Sequence, residues 1–344
     1  MPGFPSFLFK TQHSTTFLER LLMTNISRRT FLATSSCVVT LPALVTQAQE
    51  QTAPLRFGVI TDLHQDIIPD APDRLRAFVE AMTLANVDFI CQLGDFCIPK
   101  PANQPLMKIW NAFPGPKYHV LGNHDMDAGY KPQVTAEFYG MPARYYAFSA
   151  KGVRFIVLDG NEPGGQKSGY ARYIGPDQIA WLKTELEKSS EPVIVLIHQP
   201  LETDSGIENH AAIQKILEGT LSNKSPVVAV FAGHLHQDYV RPVNGIPYIQ
   251  INSAAYHWMG DQFAHESYSP EIHKQHPHLK STCPYQDPLW AMVTVDLAGR
   301  TLKIEGLKTT WVGQSPWELG ATEKSHPPEI VRPAISDQQV SLIR

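Results

Sequence analysis

The fold is decided by the stretch Val227-Val228-Ala229-Val230-Phe231-Ala232-Gly233-His234-Leu235-His236, in which an apolar run passes into a polar cluster. Short apolar runs of this kind are typical of buried β-strands. Four more strands are predicted to end in the same way: Arg56–Ile60 before Asp62 and His64, Asp88–Leu93 before Asp95, Lys117–Leu121 before Asn123, and Val193–Ile197 before His198. Ligands of open α/β sheets gather beyond the carboxyl ends of the strands. We therefore predict that these polar residues build one site.

The segments between these strands indicate an α/β fold. Helices are predicted from apolar spacing or a proline in the first turn: Pro72–Ala85, Pro176–Lys188, and Ala211–Leu217 after Asn209. The remaining strands are predicted as two hairpins, Tyr145–Phe148 with Val153–Asp159 and Trp290–Asp296 with Thr301–Leu307, and one strand at Pro247–Asn252. We expect one domain over residues 54–315 and a peripheral C-terminal tail over residues 316–344, which is polar and contains prolines.

The charge distribution argues against a polymeric nucleic acid as partner. The 344 residues carry a formal net charge of −4, and since residues 1–48 contribute +3, the remaining body carries −7. Such a body lacks the broad cationic surface that attracts nucleic acid. An anionic substrate would need a local positive site. No apolar stretch is long enough to predict a stable membrane span.

Residues 1–48 read as an export signal. Arg28 and Arg29 are followed by Phe31-Leu32, then by a modestly apolar stretch and by small residues that end at Ala48. This is the order of a secretory signal peptide, and the paired arginines resemble the twin-arginine type. The sequence therefore predicts an exported protein, periplasmic or extracellular.

The polar residues after the strands suit metal ions. Carboxylates and imidazoles are ligands for divalent manganese, iron or zinc. The candidate ligands number seven: Asp62, His64, Asp95, Asn123, His198, His234 and His236. Seven ligands exceed the needs of one tetrahedral site, but they suit two ions bridged by a carboxylate. Ion pairs about 3.5–4 Å apart clamp both oxygens of an in-line phosphoryl displacement.

The motifs Asp62-Leu63-His64, Gly94-Asp95, Gly122-Asn123-His124-Asp125, His198 and Gly233-His234-Leu235-His236 resemble those of the calcineurin-like metallophosphoesterase family. The resemblance covers about residues 56–236 in the order of the family. It implies a two-layer β-sandwich flanked by helices. It also implies that Asp62, His64 and His236 bind one metal and that Asn123, His198 and His234 bind the other, with Asp95 between them. By the same resemblance, His124 protonates the leaving oxygen and Asp125 orients His124.

The expected activity is hydrolysis of a phosphate ester. Two divalent ions bring about four positive charges and the two aspartates return two, so that the site attracts phosphate. A hydroxide that bridges the metals would attack phosphorus in line. A small phosphodiester is the favoured substrate. A phosphomonoesterase, a nucleotide pyrophosphate hydrolase and a catalytically silent binding protein stay open as alternatives.

Several further residues have a functional and a structural interpretation. Ile98 stands where a purple acid phosphatase has its iron-binding tyrosine, which argues against that branch. Cys97 could touch the metals but is expected to be a packed thiol, and Asp159 is expected to be structural. The remaining candidates are phosphate contacts or aromatic pocket walls: Arg144, Arg172, Asn209, His210 and the loop that begins with Tyr256-His257-Trp258.

Overall fold

The computed structural model describes residues 53–222 and 225–342, and the predicted export signal lies outside these residues. The strands are β1 (Leu55–Ile60), β2 (Phe89–Gln92), β3 (Lys117–His119), β4 (Tyr146–Ala150), β5 (Val153–Val157), β6 (Val193–Leu196), β7 (Val227–Ala232), β8 (Tyr239–Val243), β9 (Ile246–Gln250), β10 (Tyr256–Trp258), β11 (Thr282–Pro284), β12 (Ala291–Asp296), β13 (Thr301–Glu305) and β14 (Gln338–Ser341). The α-helices are α1 (Ala71–Leu84), α2 (Gln104–Asn111), α3 (Pro132–Tyr139), α4 (Pro176–Lys188), α5 (His210–Glu218) and α6 (Pro270–Gln275).

Within the described residues the strands form two six-stranded sheets and a two-stranded ribbon of β10 and β11. The first sheet has the order β14-β13-β12-β1-β2-β3, and β1, β2 and β3 are parallel. The second sheet has the order β4-β5-β6-β7-β9-β8, and β5, β6, β7 and β9 are parallel. Each sheet thus combines a parallel part with an antiparallel edge, and the parallel part carries the polar clusters at its carboxyl ends.

The two sheets pack face to face through aromatic side chains. The ring of Phe57 on β1 lies 5.5 Å from that of Phe155 on β5 and 6.0 Å from that of Phe231 on β7. Phe89 on β2 stacks on Phe57 at 4.8 Å. All four rings are buried. Since such rings supply much apolar area, they hold the two sheets together as a sandwich.

Helices cover the outer faces of the sandwich. On the first sheet, Gly58 of β1 leaves space for the side chains of Phe78 and Met82 of α1. On the second sheet, Leu182 of α4 and Ile213 of α5 belong to the apolar cluster that covers its outer face. The predicted two-layer sandwich flanked by helices is confirmed. Each predicted strand and helix is present, with ends that differ by at most two residues.

The C-terminal segment differs from the peripheral tail expected after residue 315. Strand β14 pairs antiparallel with β13, and Val340 lies opposite Leu302. The Asp238 carboxylate accepts hydrogen bonds from the backbone N–H and the hydroxyl of Ser336. Ile335 is buried in the core between the sheets. The segment therefore forms the edge of the first sheet, although its apolar residues are too widely spaced to show a strand pattern.

No helix in the described part of the chain is both long enough and apolar enough to cross a membrane.

Candidate metal centre

The seven predicted ligands all lie beyond the carboxyl ends of parallel strands, and five of them have a left-handed backbone. Their φ angles are 51° at Asp62, 50° at His64, 52° at Asp95, 74° at His234 and 51° at His236. A positive φ is uncommon outside glycine and costs of order 1–3 kcal/mol, so that it persists only where the surroundings enforce it. The turns fold the chain back at the ends of β1, β2 and β7 and direct these side chains to one place.

Asp62, His64 and His236 form the first group of candidate ligands. The Nε2 atom of His236 lies 3.1 Å from Oδ1 of Asp62 and 3.2 Å from Nε2 of His64. All three side chains are buried. Their ligand atoms lie within 4.8 Å of one another, close enough for one ion to contact all three.

Asp95, His198 and His234 form the second group. The Nε2 atom of His198 lies 3.2 Å from Oδ2 of Asp95 and 3.2 Å from Oδ1 of Asn123. The same Oδ2 atom of Asp95 lies 3.7 Å from Nε2 of His64 in the first group. Asp95 therefore stands between the two groups, where the sequence placed a bridging carboxylate.

Backbone carbonyls fix the orientation of two of these histidines. His198 donates its Nδ1–H to the carbonyl oxygen of Leu93 at 2.8 Å, and His236 donates its Nδ1–H to that of Tyr256 at 2.7 Å. Metal-binding histidines commonly use the second ring nitrogen in this way. In the neutral rings the Nε2 lone pair then faces inward, toward the carboxylates.

These contacts test whether the residues fit metal ions. With the proton on Nδ1, Nε2 of His236 is an acceptor that faces a carboxylate oxygen, and Nε2 of His198 faces a carboxylate and an amide oxygen. Buried acceptors that face one another need a positive charge between them, which a proton or a metal ion can supply. Carboxylate and imidazole donors together suit manganese, iron or zinc. The donor set therefore fits two such ions.

The pKa values follow from burial and from this crowding of charge. Burial lowers the pKa of His64 and of His234 to about 3, so that both rings are neutral, the form that binds metals. Burial also acts to lower the pKa of His198, but Asp95 and Asp62 outweigh it and raise the pKa to about 9. The carboxylates thus attract positive charge into the centre.

His124 lies at the mouth of the centre and is partly exposed. Its backbone N–H donates to Oδ1 of Asp95 at 2.8 Å, and its Nδ1 pairs with Oδ2 of Asp127 at 2.9 Å. Burial acts to lower its pKa, but Asp95 and Asp127 raise it to about 9. The ring can therefore carry a proton at neutral pH, which a group that protonates a leaving oxygen must do.

Asp125 occupies a different place from the one expected. Its carboxylate accepts hydrogen bonds from the backbone N–H groups of Asp95, Phe96, Cys97 and Gly122, at 2.7–3.2 Å. Asp127, two residues further along, contacts the His124 ring instead. The expectation that Asp125 orients His124 is therefore corrected: adjacency in sequence does not place the two side chains together, because Asp125 turns inward under the Asp95 loop.

Other candidates have structural contacts. Asp159 is buried and accepts a hydrogen bond from Nε of Arg144 at 2.7 Å, and Glu162 pairs with the same guanidinium at 2.9 Å. These two carboxylates occupy Arg144, which argues against its role as a phosphate contact. Cys97 is a buried thiol whose pKa is raised by burial, as expected for a packed residue.

The two candidates near the start of α5, Asn209 and His210, contact the protein backbone. The amide of Asn209 bonds both the N–H and the carbonyl of Ile174, so its side chain joins two segments instead of capping α5. The Nδ1 atom of His210 lies 2.9 Å from the carbonyl oxygen of Ile207.

Three residues contact the histidines of the centre in ways that the sequence analysis did not predict. Tyr170, on an exposed loop, places its hydroxyl 2.8 Å from Nε2 of His234, and burial raises its pKa so that it keeps its proton. Tyr256 was considered as a pocket wall, but its ring stacks beneath His64 at 5.0 Å. Asp127 holds His124. None of the three follows a strand end within a recognisable motif, so no local pattern marks them.

The sandwich and the two groups of ligands define a metal-dependent phosphoesterase with a site for two metal ions. The model of the Calcineurin-like phosphoesterase family matches residues 55–238, more than half of the sequence, and the chain belongs to this family. The match covers every predicted ligand, from Asp62 to His236.

Similar proteins agree with this assignment. The chain is 29% identical to a probable cyclic nucleotide phosphodiesterase of Synechococcus sp. over 209 residues, an alignment that covers 54% of this chain and 75% of that protein. It is 23% identical to a 3′,5′-cyclic-nucleotide phosphodiesterase of Nostoc sp. over 255 residues, and this alignment covers 69% of this chain and 90% of that protein. A dimetal phosphatase of Danio rerio shares the fold with a TM-score of 0.54 at 17% identity, over 76% of this chain and 100% of that chain.

Proposed function

We propose that the protein hydrolyses a small phosphodiester and that a cyclic nucleotide belongs to its substrate class. The observation that carries the proposal is the pair of candidate ligand groups with Asp95 between them, beside His124. The relatives from Synechococcus and Nostoc, named as cyclic nucleotide phosphodiesterases, support this substrate class.

The residues divide the work of the reaction. Two bound metal ions would supply Lewis-acid stabilisation of the phosphoryl oxygens and would activate a water molecule. His124 is paired with Asp127 through Nδ1, so its Nε2 is the nitrogen that can give a proton to the leaving oxygen. Asn123 has a buried amide nitrogen without a hydrogen-bond partner among the described residues, and this donor is available to a phosphoryl oxygen.

We propose manganese, iron or zinc as the metals, with manganese the first to test. The donors suit all three. A relative from Oryza sativa subsp. japonica is named as manganese-dependent, and it is 25% identical over 250 residues, covering 53% of this chain and 77% of that protein.

The test compares a diester with a monoester. The purified protein is loaded separately with Mn²⁺, Zn²⁺ and Fe²⁺, and its rates are measured on bis(p-nitrophenyl) phosphate, p-nitrophenyl phosphate and cyclic AMP. We expect hydrolysis of the diesters to exceed that of the monoester. Protein that holds two metals but cleaves neither diester would overturn the proposal and favour a silent binding protein. A faster rate on the monoester would favour a phosphomonoesterase.

A nucleotide diphosphate is the second candidate substrate. The relative from Oryza sativa is named an ADP-ribose/CDP-alcohol diphosphatase. Adding ADP-ribose to the substrates separates the two classes, because release of AMP from ADP-ribose at a higher kcat/KM than hydrolysis of cyclic AMP would favour the diphosphatase.

We also propose that the chain is exported by its twin-arginine segment, on the sequence of residues 1–48 alone. The mature protein is expected to begin at Gln49. The double variant Arg28→Lys with Arg29→Lys should block export, whereas export of that variant at the original level would refute the route.

A further inference from the structure

Tyr170 approaches the metal centre from outside the ligand motifs. Its hydroxyl lies 2.8 Å from Nε2 of His234, and its ring lies 5.4 Å from that of His234 and 6.3 Å from that of His124. Its exposed fraction is 38%, so that the ring stands at the open side of the centre.

The hydrogen bond to His234 has a defined direction once a metal is bound. Because Nε2 is engaged with Tyr170, Nδ1 is the nitrogen of His234 left for the second metal. A neutral ring with a metal on Nδ1 carries its proton on Nε2. Nε2–H then donates and the Tyr170 oxygen accepts. His198 and His236 use backbone carbonyls for the same purpose, whereas His234 relies on a side chain.

The proton of the Tyr170 hydroxyl is then free to point elsewhere. A phenol can donate one hydrogen bond while it accepts another. Among the described residues, the hydroxyl has no hydrogen-bond partner other than His234. Since the His124 ring lies 6.3 Å from the Tyr170 ring, a substrate oxygen that contacts His124 would lie near the Tyr170 hydroxyl.

Neighbouring residues hold the ring in place. The guanidinium carbon of Arg172 lies 5.2 Å from the centre of the Tyr170 ring, a cation–π contact. At the base of the loop, the Glu208 carboxylate accepts the backbone N–H groups of Gln166 and Lys167 at 2.6 and 3.0 Å. The loop is therefore held by contacts both before Tyr170 in the sequence, at Gln166 and Lys167, and after it, at Arg172.

We propose that Tyr170 fixes the orientation of His234 for the second metal, as a positioning residue, and that its hydroxyl donates a hydrogen bond to an oxygen of the substrate. The inference rests on the proposed two-metal phosphoesterase and deepens it. It assigns to an exposed loop a task that backbone carbonyls perform for His198 and His236.

The test replaces the hydroxyl and keeps the ring. Metal-free Tyr170→Phe protein is titrated with Mn²⁺ alone by calorimetry, in parallel with the original protein and with Tyr173→Phe. Tyr173 is a matched control, because it lies in the same segment and its hydroxyl has no hydrogen bond to any described residue. We expect one of the two sites to bind Mn²⁺ about 10-fold more weakly in Tyr170→Phe, the usual effect of losing such a partner.

Kinetics tests the second half of the proposal. With saturating Mn²⁺, KM for bis(p-nitrophenyl) phosphate should rise about two- to tenfold in Tyr170→Phe, as expected for one lost neutral hydrogen bond. Unchanged Mn²⁺ affinity overturns the role toward His234, and unchanged KM overturns the role toward substrate. If the original protein cleaves no diester, the proposed function fails, but the Mn²⁺ titration still decides whether Tyr170 supports the metal site.

Discussion

At the scale of single residues, His124 and Asp125 are neighbours in the chain but act in different places. The His124 ring faces the open side of the centre, whereas the Asp125 carboxylate lies under the loop that carries Asp95. The clustering of the seven candidate ligands could be predicted, because each lies just after an apolar strand. The carboxylate that contacts the His124 ring could not be predicted, because the backbone turn after His124 decides whether Asp125 or Asp127 points toward that ring.

His124→Ala should keep both metals and lose most activity. The backbone N–H of residue 124 still donates to Asp95 in the variant, so that the bridging carboxylate stays in place. Loss of an acid typically costs about 10²–10⁴-fold in rate. The loss should be smallest for p-nitrophenol as leaving group, because that group needs little protonation. Metal analysis and kcat on esters of different leaving groups check this, and a loss of metal would contradict the role of His124 as acid.

Asp125→Asn should destabilise the Asp95 loop. Each carboxylate oxygen of Asp125 accepts two backbone N–H groups, and the amide nitrogen of asparagine would face two of these donors. A buried donor without a partner costs about 1–3 kcal/mol, so we expect a loss of about 2–5 kcal/mol in the free energy of unfolding, together with weaker metal binding. Urea denaturation and metal analysis measure both.

Asp127→Asn is the matched control for Asp125→Asn. Asp127 is exposed and contacts the His124 ring, so its replacement should leave stability within about 0.5 kcal/mol and lower kcat. Equal stability loss in the two variants would contradict the separate places that the structure gives to the two carboxylates.

At the scale of elements, most strongly apolar segments could be predicted, whereas the short strands β10, β11 and β14 could not. Helix α4 has the predicted bounds, because its apolar spacing repeats over several turns and Pro176 marks its start. The ribbon of β10 and β11 has three residues in each strand, too few to show an alternating pattern. Strand β14 has the same difficulty, since Val340 is the one apolar residue among its four. Its pairing with β13 depends on tertiary contacts rather than on local sequence.

Val340→Asp should lower the stability of the domain. Val340 lies opposite Leu302 and packs against the core between the sheets. A carboxylate there loses apolar burial and is poorly solvated, which we expect to cost about 2–3 kcal/mol. Gln339→Asp is the control, because Gln339 is exposed on the other face of the same strand. Denaturation curves that coincide for the two variants would mean that β14 contributes nothing to the core.

At the scale of the whole molecule, the strained backbone turns and the facing acceptor atoms lie together at one edge of the sandwich. Left-handed turns at five ligands and inward-facing acceptor atoms come from both sheets, so the two layers meet at the centre. The family match from residue 55 to residue 238 includes strands of both sheets. Because the body of the chain is acidic, cations held by the two groups would also be its main local source of positive potential for an anionic substrate.

Removal of the metals should therefore lower the melting temperature of the whole domain. Ligand present at about 100 times its Kd stabilises a protein by about 2.7 kcal/mol per site. In a domain of this size that corresponds to roughly 5–10 °C in Tm. We expect a chelator to lower Tm by at least this amount, and added Mn²⁺ to restore it.

Two variants serve as controls for this Tm shift. His124→Ala, which keeps all the candidate ligands, should show the same decrease in Tm on chelation, and His198→Ala, which lacks a candidate ligand of the second group, should show about half of that decrease. A Tm unaffected by chelation, in protein shown to have lost its metals, would mean that the ions do not relieve the crowding of acceptors that the centre contains.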